Sequence, residues 1–134
     1  MRAKGPRDVI EEFVNAINGH DIDAIYEFMA EEHRFIDSMG RAVAGRDEMK
    51  KSWIAFFKIV PDYTISISET FNSDNIFVLL GHASGTYTQD GNLRQENQWE
   101  TQAAWRAVVE GDQILEWKVY GDNQAIRKVI RKYR

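Results

Sequence analysis

The sequence has no cysteine, only two prolines and no long hydrophobic run. Without cysteine there are no disulfides, no thiolate nucleophile and no cysteine-ligated metal centre, and nothing indicates an oxidising compartment. No apolar stretch approaches the roughly 20 residues of a membrane span. The first residues, 1–7, carry three cations and lead into Glu11 and Glu12 without an apolar segment, unlike a signal peptide. We therefore predict a cytoplasmic protein that does not enter a membrane.

Acidic residues outnumber basic ones, and the net charge is −4. The excess of negative charge lies in the first 126 residues, because the last eight residues hold five of the cations. The acidic remainder disfavours binding to nucleic acid. The basic end, 127–134, has two interpretations: an interaction tail, or the last turns of a helix whose dipole the cations complement. The second interpretation is the more ordinary one.

Large side chains, by contrast, are abundant. The 134 residues include 4 Trp, 5 Tyr and 7 Phe. Of all residues, 43% are apolar and 28% are charged. This length and composition predict a single globular domain over 1–134, with no second core. Aromatic side chains in excess of what a core needs can also line a cavity.

Three amphipathic helices are predicted in the first half of the chain. Apolar residues recur at helical spacing from Val9 to Ile17, and again from Ile22 to Met29 after Asp21, a suitable N-cap. A third helix follows Gly45, with Asp47 as its expected cap, and stops before Pro61. Its apolar stripe is strongly aromatic, and includes Trp53, Phe56 and Phe57.

The second half has the alternation of β-strands. A short strand is predicted at 33–37, and longer strands at 63–71, 76–88, 95–109 and 114–120, before a terminal helix. Turn residues separate them, and Gly81 and Gly85 predict strong bending. The predicted fold is α+β: a strongly curved antiparallel sheet forming a cone, closed by three N-terminal helices, with a short C-terminal helix. The interior of the cone is the expected ligand site.

Strand parity predicts which side chains face that interior. On the strand 95–109, Trp99, Thr101, Ala103 and Trp105 share one face, and Glu100 lies on the other. On the last strand, Leu115, Trp117 and Val119 are expected to point inward. The predicted interior is therefore apolar and aromatic, with few polar groups.

The order of these elements, with several local strings, resembles the nuclear transport factor 2-like superfamily, and within it the SnoaL-like polyketide cyclases and ketosteroid isomerases. The strings are GHDIDAIYEFMAEE, HRFIDSMG, AGRDEMKKSW and AAWRAVVEGDQILEWKVYGD. The resemblance spans nearly the whole chain and depends on the order and spacing of the strings. It also implies a homodimer through the outer face of the sheet.

The resemblance implies a general base at Asp37 and, for the cyclases, an acid/base carboxylate at Asp122. The two oxyanion donors of ketosteroid isomerases correspond here to Phe13 and Ala103, which cannot donate a hydrogen bond. The isomerase reaction is therefore disfavoured even on this scaffold. The related limonene epoxide hydrolases use an Asp-Arg-Asp cluster, for which Arg94 or Arg106 is the candidate arginine.

The candidate site residues have ordinary alternatives. Asp37, held beside aromatic side chains, could take a proton from carbon, or could simply bond to the amides of the loop 38–40. His82 could be a second acid/base, or a hydrogen-bonded or interface histidine. No histidine pair has ligand spacing, so neither a metal nor a cofactor is predicted. The residues expected to line the substrate site are Phe13, Tyr26, Met39, Trp53, Phe57, Trp99, Ala103, Trp105, Trp117 and Val119.

Two functions follow. The first is a cofactor-independent isomerase or cyclase that acts on a hydrophobic cyclic carbonyl compound, with Asp37 as the base. The second is a non-catalytic module that binds a small molecule or dimerises. The sequence does not decide between them.

Overall fold

The computed structural model describes residues 5–133. The first half of the chain contains three helices and two strands, and the long strands follow one another in the second half. In chain order they are α1 (Pro6–Asn18), α2 (Ile22–Phe28), β1 (Met29–Ile36), β2 (Ala42–Ala44), α3 (Arg46–Ile59), β3 (Thr64–Ser73), β4 (Ile76–Thr86), β5 (Gln98–Glu110), β6 (Gln113–Gly121) and α4 (Gln124–Arg131). Residues Gln95–Asn97, expected to begin a strand, form a short 3-10 helix instead.

The helix caps match the prediction in one place and not in another. Asp21 caps α2, because its Oδ1 accepts a hydrogen bond from the backbone N–H of Ala24 at 3.1 Å. The N-cap of α3 is Gly45, not Asp47. Asp47 lies in the first turn, where its carboxylate accepts a hydrogen bond from the Tyr26 hydroxyl at 2.7 Å. This bond joins α3 to α2.

The six strands form one sheet in the order β2-β1-β6-β5-β4-β3. The prediction of an α+β fold is confirmed, but the sheet is mixed, because β1 runs parallel to β6 and every other pair is antiparallel. The predicted antiparallel arrangement therefore holds for every strand pair except β1–β6, because β1 follows a helix hairpin and inserts between β2 and β6. Alternation within a strand reveals its faces but not its partner.

The middle of β4 requires glycine. A Cβ on Gly81 would collide with the backbone carbonyl oxygen of Ser66 on β3. The register of these two strands shifts between Ile67 and Glu69, so a bulge lies beside the glycine. A bulge bends the strand that contains it. The close approach and the bulge thus lie together at the glycine for which the sequence predicted bending.

The hydrophobic core lies between the sheet and helices α1, α2 and α3. Strand parity is confirmed on β5, where Trp99 and Trp105 are buried, and on β6 for Trp117. It was wrong for Leu115. A bulge between Val108 and Val109 shifts the register of β5 against β6, and Ile114 is the buried residue.

Two further predictions concern a membrane span and the basic C-terminal segment. No helix among residues 5–133 is long and apolar enough to cross a membrane. Most of the basic segment 127–134 lies in or just after α4, with Lys128 and Arg131 in the last turn of the helix. This favours the helix-dipole interpretation over a free tail. The prediction for residues 1–4, and the last cation, Arg134, lie outside the described residues.

Candidate functional site

Two aspartates meet at one edge of the sheet because β1 and β6 are parallel. Parallel strands end at the same edge, and each of these strands is followed directly by an aspartate: Asp37 after β1, and Asp122 after β6. The two connections contact each other, because the Asn123 side-chain amide donates to the Ser38 hydroxyl at 3.2 Å. The fold therefore brings together the two carboxylates that the sequence singled out.

Both aspartates line a cavity of about 220 Å³ on the inner face of the sheet. Its wall is mostly aromatic and aliphatic, formed by Phe35, Phe56, Tyr63, Trp99, Trp105 and Ile126. Ile126 comes from α4, so the C-terminal helix covers part of the cavity. An apolar cleft with a few polar groups on one side is the usual form of a small-molecule site.

Asp37 is held firmly by its own loop. Its Oδ1 accepts hydrogen bonds from the backbone N–H groups of Met39 and Arg41, both at 2.9 Å. Its Oδ2 lies 3.3 Å from Nε of Arg41, whose side chain is largely exposed. The loop-bonding interpretation of Asp37 is thus correct, although the amides are those of residues 39 and 41. The same bonds fix the orientation of the carboxylate at the cavity.

Asp122 is held less completely. Its Oδ1 accepts the backbone N–H of Gln124 at 2.9 Å, at the start of α4. Its backbone carbonyl accepts a hydrogen bond from the Thr101 hydroxyl at 2.6 Å, which links this loop to β5. Within residues 5–133, no hydrogen bond to Oδ2 of Asp122 is observed, so that oxygen is available to a ligand.

A second cavity of about 240 Å³ adjoins the first. The two have Phe35, Phe56, Tyr63 and Val119 in common as lining residues. Trp53 and Trp117 line only this second cavity, which contains neither aspartate.

Six of the ten residues expected at the substrate site line one of these cavities. Trp99, Ala103, Trp105 and Val119 line the main cavity, and Trp53 and Trp117 the second.

The structure places the other four elsewhere. Phe13 is fully buried in the core, with its ring against Trp117 at a centroid distance of 5.1 Å. Tyr26 bonds to Asp47 away from the cavity, and Met39 is exposed on its loop. Phe57 stacks on Trp53 and His20, so its neighbour Phe56 faces the cavity instead. Helical spacing alone could not separate these two adjacent rings.

His82 does not reach the cavity. It lies on the outer face of the sheet, where its Nε2 is 3.6 Å from Oε1 of Glu100. Its neighbour Ala83 points inward and lines the cavity. Because successive residues of a strand alternate in direction, His82 points away. The prediction of a second acid/base at this position is therefore corrected.

Neither candidate arginine reaches the cavity either. Arg94 pairs with Asp90 through both carboxylate oxygens, at 3.1 and 2.7 Å. Arg106 forms an ion pair with Glu116 of the adjacent strand. Among residues 5–133, no cluster of histidine and carboxylate side chains could hold a metal ion.

Sequence reasoning missed Tyr63 as a cavity residue. It lies just before β3 and shares the parity of the buried Ile65, which was the available signal. Burial raises the pKa of Tyr63 far above its ordinary value, so its hydroxyl stays protonated.

The sequence and the fold both have relatives. The family model of the SnoaL-like domain matches residues 10–117. No curated protein matches the chain.

Several solved structures share the fold. A proposed SnoaL-like polyketide cyclase from Shewanella denitrificans superimposes with a TM-score of 0.81 at 12% identity, over 95% of this chain and 97% of the other. A proposed polyketide cyclase from Streptomyces antibioticus gives 0.77 at 17% identity, over 96% and 99%. A protein from Catenulispora acidiphila with a ketosteroid isomerase-like fold, solved in complex with trimethylamine, gives 0.76 at 12% identity, over 89% and 88%. With the family match over most of its length, the chain belongs to the SnoaL-like domain family.

Proposed function

We propose that the main cavity binds a hydrophobic cyclic carbonyl compound and that Asp37 removes a proton from the carbon next to the carbonyl group. One observation supports this above all: the only parallel strand pair within residues 5–133 brings Asp37 and Asp122 to the same apolar cavity. The names of the structural neighbours from Shewanella and Streptomyces point to the same class of chemistry. That likeness is one of fold, so the chemistry is tested directly below.

In the proposed reaction, the Asp37 carboxylate takes the proton and the substrate becomes an enolate. Return of the proton to a different carbon gives isomerisation, whereas attack of the enolate on a second carbonyl of the same molecule gives an aldol-type ring closure. Asp122 is the second group that exchanges a proton with the substrate. The loop orients the base, because Met39 and Arg41 donate backbone hydrogen bonds to Oδ1 and the Arg41 side chain lies 3.3 Å from Oδ2.

The experiment measures proton abstraction without knowledge of the natural substrate. The probe is 1-tetralone in D₂O, and ¹H NMR follows loss of the signal from the protons next to its carbonyl. We expect the protein to accelerate this exchange, and Asp37→Asn to slow it by about 10²-fold or more. Asn keeps an oxygen that can accept the two loop hydrogen bonds and removes the base. Asp122→Asn is expected to slow the exchange as well.

The control is Asp23→Asn, because the Asp23 side chain is 95% exposed on α2, outside the cavity. It should exchange like the wild type. Asp37→Ala removes both the base and the anchor of the loop, and should also lower stability. Equal exchange rates in the wild type and Asp37→Asn would overturn the role of Asp37.

The second candidate function is non-catalytic binding in the same cavity. It is favoured by the commitment of Asp37 to hydrogen bonds within its own loop. In that case 1-tetralone would bind without any acceleration of exchange. Binding and exchange are therefore measured on the same sample.

We also propose that the outer face of the sheet forms a homodimer. This face exposes Phe71, Val78 and Tyr120 together with polar and charged side chains, among them the pairs His82–Glu100 and Arg106–Glu116. Such a surface can match a second copy of itself across a two-fold axis. Light scattering during size exclusion should give the dimer mass, and Val78→Glu the mass of a monomer. A monomeric wild type would contradict the proposal.

A further inference from the structure

Three hydrogen-bond donors in the wall of the main cavity have no partner within residues 5–133. Two are the indole Nε1 atoms of Trp99 and Trp105, which are fully buried and make no hydrogen bond. The third is the Tyr63 hydroxyl, which also makes no hydrogen bond but is not fully enclosed; Tyr63 and Trp99 are each 9% exposed. Native proteins pair the great majority of their buried polar groups, so the unpartnered indoles call for a physical explanation.

Tyr63 and Trp99 are neighbours that line the same cavity. Their ring centroids are 6.1 Å apart, and both lie in the wall of the cavity that contains Asp37 and Asp122. Of the two other hydroxyl groups in the lining, that of Thr101 is bonded to the backbone carbonyl of Asp122, and that of Ser38 to the side chain of Asn123. A ligand oxygen that enters between Tyr63 and Trp99 therefore meets both as uncommitted donors.

The surroundings hold Tyr63 in place. Its backbone N–H donates to the carbonyl of Val60 at 3.2 Å, and its own carbonyl accepts a hydrogen bond from Nε2 of His20 at 2.8 Å. The ring of Phe56 packs edge-on against it at 4.8 Å. Because burial keeps the phenol protonated, the hydroxyl is a fixed donor and not a base.

From this geometry we propose that Tyr63 and Trp99 bind the carbonyl oxygen of the ligand, and that they are the specificity-determining residues of the cavity. The inference rests on the proposed function, since it concerns the same cavity and the same class of ligand. Phe13 and Ala103 occupy the positions at which the resemblance placed two hydrogen-bond donors. Tyr63, in the segment before β3, and Trp99, on β5, supply donors from other positions.

The experiment compares two probes that differ by one oxygen: 1-tetralone and its parent hydrocarbon tetralin. Calorimetry gives both dissociation constants for the wild type, Tyr63→Phe and Trp99→Phe. One hydrogen bond contributes about 0.5–1.5 kcal/mol, so we expect Tyr63→Phe to weaken 1-tetralone binding by about three- to tenfold. The affinity for tetralin should not change, which also shows that the variant is folded. The matched control is Tyr120→Phe on the outer face of the sheet, which should bind both probes like the wild type.

A second readout follows the indole N–H directly. Four tryptophans give four indole signals in a ¹H–¹⁵N correlation spectrum, and Trp99→Phe identifies the signal of Trp99. We expect 1-tetralone to move that signal downfield and tetralin to move it much less. A downfield shift at Trp105 instead, whose Nε1 is also unpartnered, would overturn the assignment of the donor.

The outcomes separate this inference from the proposed function. If both probes bind equally to the wild type and to Tyr63→Phe, the donor pair is refuted, while the apolar cavity remains a binding site. If 1-tetralone binds through Tyr63 but shows no accelerated exchange, the catalytic role of Asp37 fails and the donor pair stands. If neither probe binds, both proposals are refuted.

Discussion

The side chain of Asn18 pairs with the backbone of Ile65 in both directions. Its Nδ2 donates to the carbonyl of Ile65 at 2.9 Å, and its Oδ1 accepts the N–H of Ile65 at 2.8 Å. One amide at the end of α1 thus satisfies two backbone groups of the edge strand β3. The pair fixes where the first helix sits on the sheet, and covers part of an edge that would otherwise be open.

We expect Asn18→Ala to lower the free energy of unfolding by about 2 kcal/mol, because it leaves both backbone groups of Ile65 without a partner in a partly buried place. Urea denaturation measures the change. The control is Asn15→Ala, one turn earlier on α1, where the side chain is exposed. Equal stability of the two variants would contradict the docking role of Asn18.

Gly81→Ala tests the close approach of β3 and β4. The new methyl group would collide with the Ser66 carbonyl, and a backbone atom cannot swing aside as a flexible side chain does. Overpacking costs about 1–3 kcal/mol, and this variant should lie at the upper end of that range or fail to fold. Gly121→Ala is the matched control, since its Cβ would sit 3.4 Å from the nearest atom, an ordinary contact. A mild effect at Gly81 would mean that the two strands can separate there.

His33 makes stability depend on pH. It is 1% exposed, its Nδ1 donates to the Ile114 carbonyl at 2.7 Å, and its Nε2 is buried without a partner within residues 5–133. Burial lowers the pKa of His33, an effect that the Ile114 carbonyl and Glu116 partly oppose. Below the unfolded value of about 6.5 the unfolded chain binds the extra proton more readily than the folded protein does. The contribution of the neutral ring to stability is therefore fully present above that pH, and is lost as the pH falls towards the lowered folded pKa.

The measurement is the free energy of unfolding between pH 7.5 and 5 for the wild type and for His33→Asn, which keeps a donor and does not titrate. His20 and His82 are common to both proteins, so the difference reports His33. We expect the wild type to lose more stability than the variant over this range. Parallel curves would contradict the prediction.

Ala103→Leu tests the cavity itself. Ala103 lines the cavity from β5, so a larger side chain there fills space that a ligand would use. We expect 1-tetralone and tetralin to lose affinity together, by about tenfold or more, whereas Tyr63→Phe affects only the ketone. The adjacent Ala104 pairs with Leu80 and Tyr120 on the outer face, so Ala104→Leu is the control. Loss of affinity in both variants would place the probes elsewhere.

Much of the fold could be predicted because the chain repeats its apolar residues at a clear period. The periodicity from Val9 to Ile17 gave α1, and the alternation at Trp99 and Trp105 gave the inner face of β5. The three residues of β2 are too few to show any period, and were not predicted. The insertion of β1 beside β6 depends on contacts between distant segments, which local patterns do not encode.

The site was predictable to a similar degree. Asp37 and Asp122 were identified through the resemblance, but their meeting required the parallel pairing of β1 with β6. His82 was misassigned because β4 is apolar at both parities, and only the burial of Leu79 and Ala83 in the structure shows that His82 points outward. Tyr63 was passed over because a tyrosine at the start of an apolar strand face has the pattern of a core residue. The missing hydrogen bond that distinguishes it is visible only in three dimensions.

The parallel pairing of β1 and β6 also governs the timing with which the site is assembled. Ser38 and Asn123, which join the two loops, are 85 residues apart in sequence. Closing so long a segment costs chain entropy, and contacts of large sequence separation slow folding. The helix hairpin and the β3–β4–β5 meander are local and can form earlier. We therefore expect the two carboxylates to come together late in folding, so that intermediates with most of their secondary structure lack the completed site.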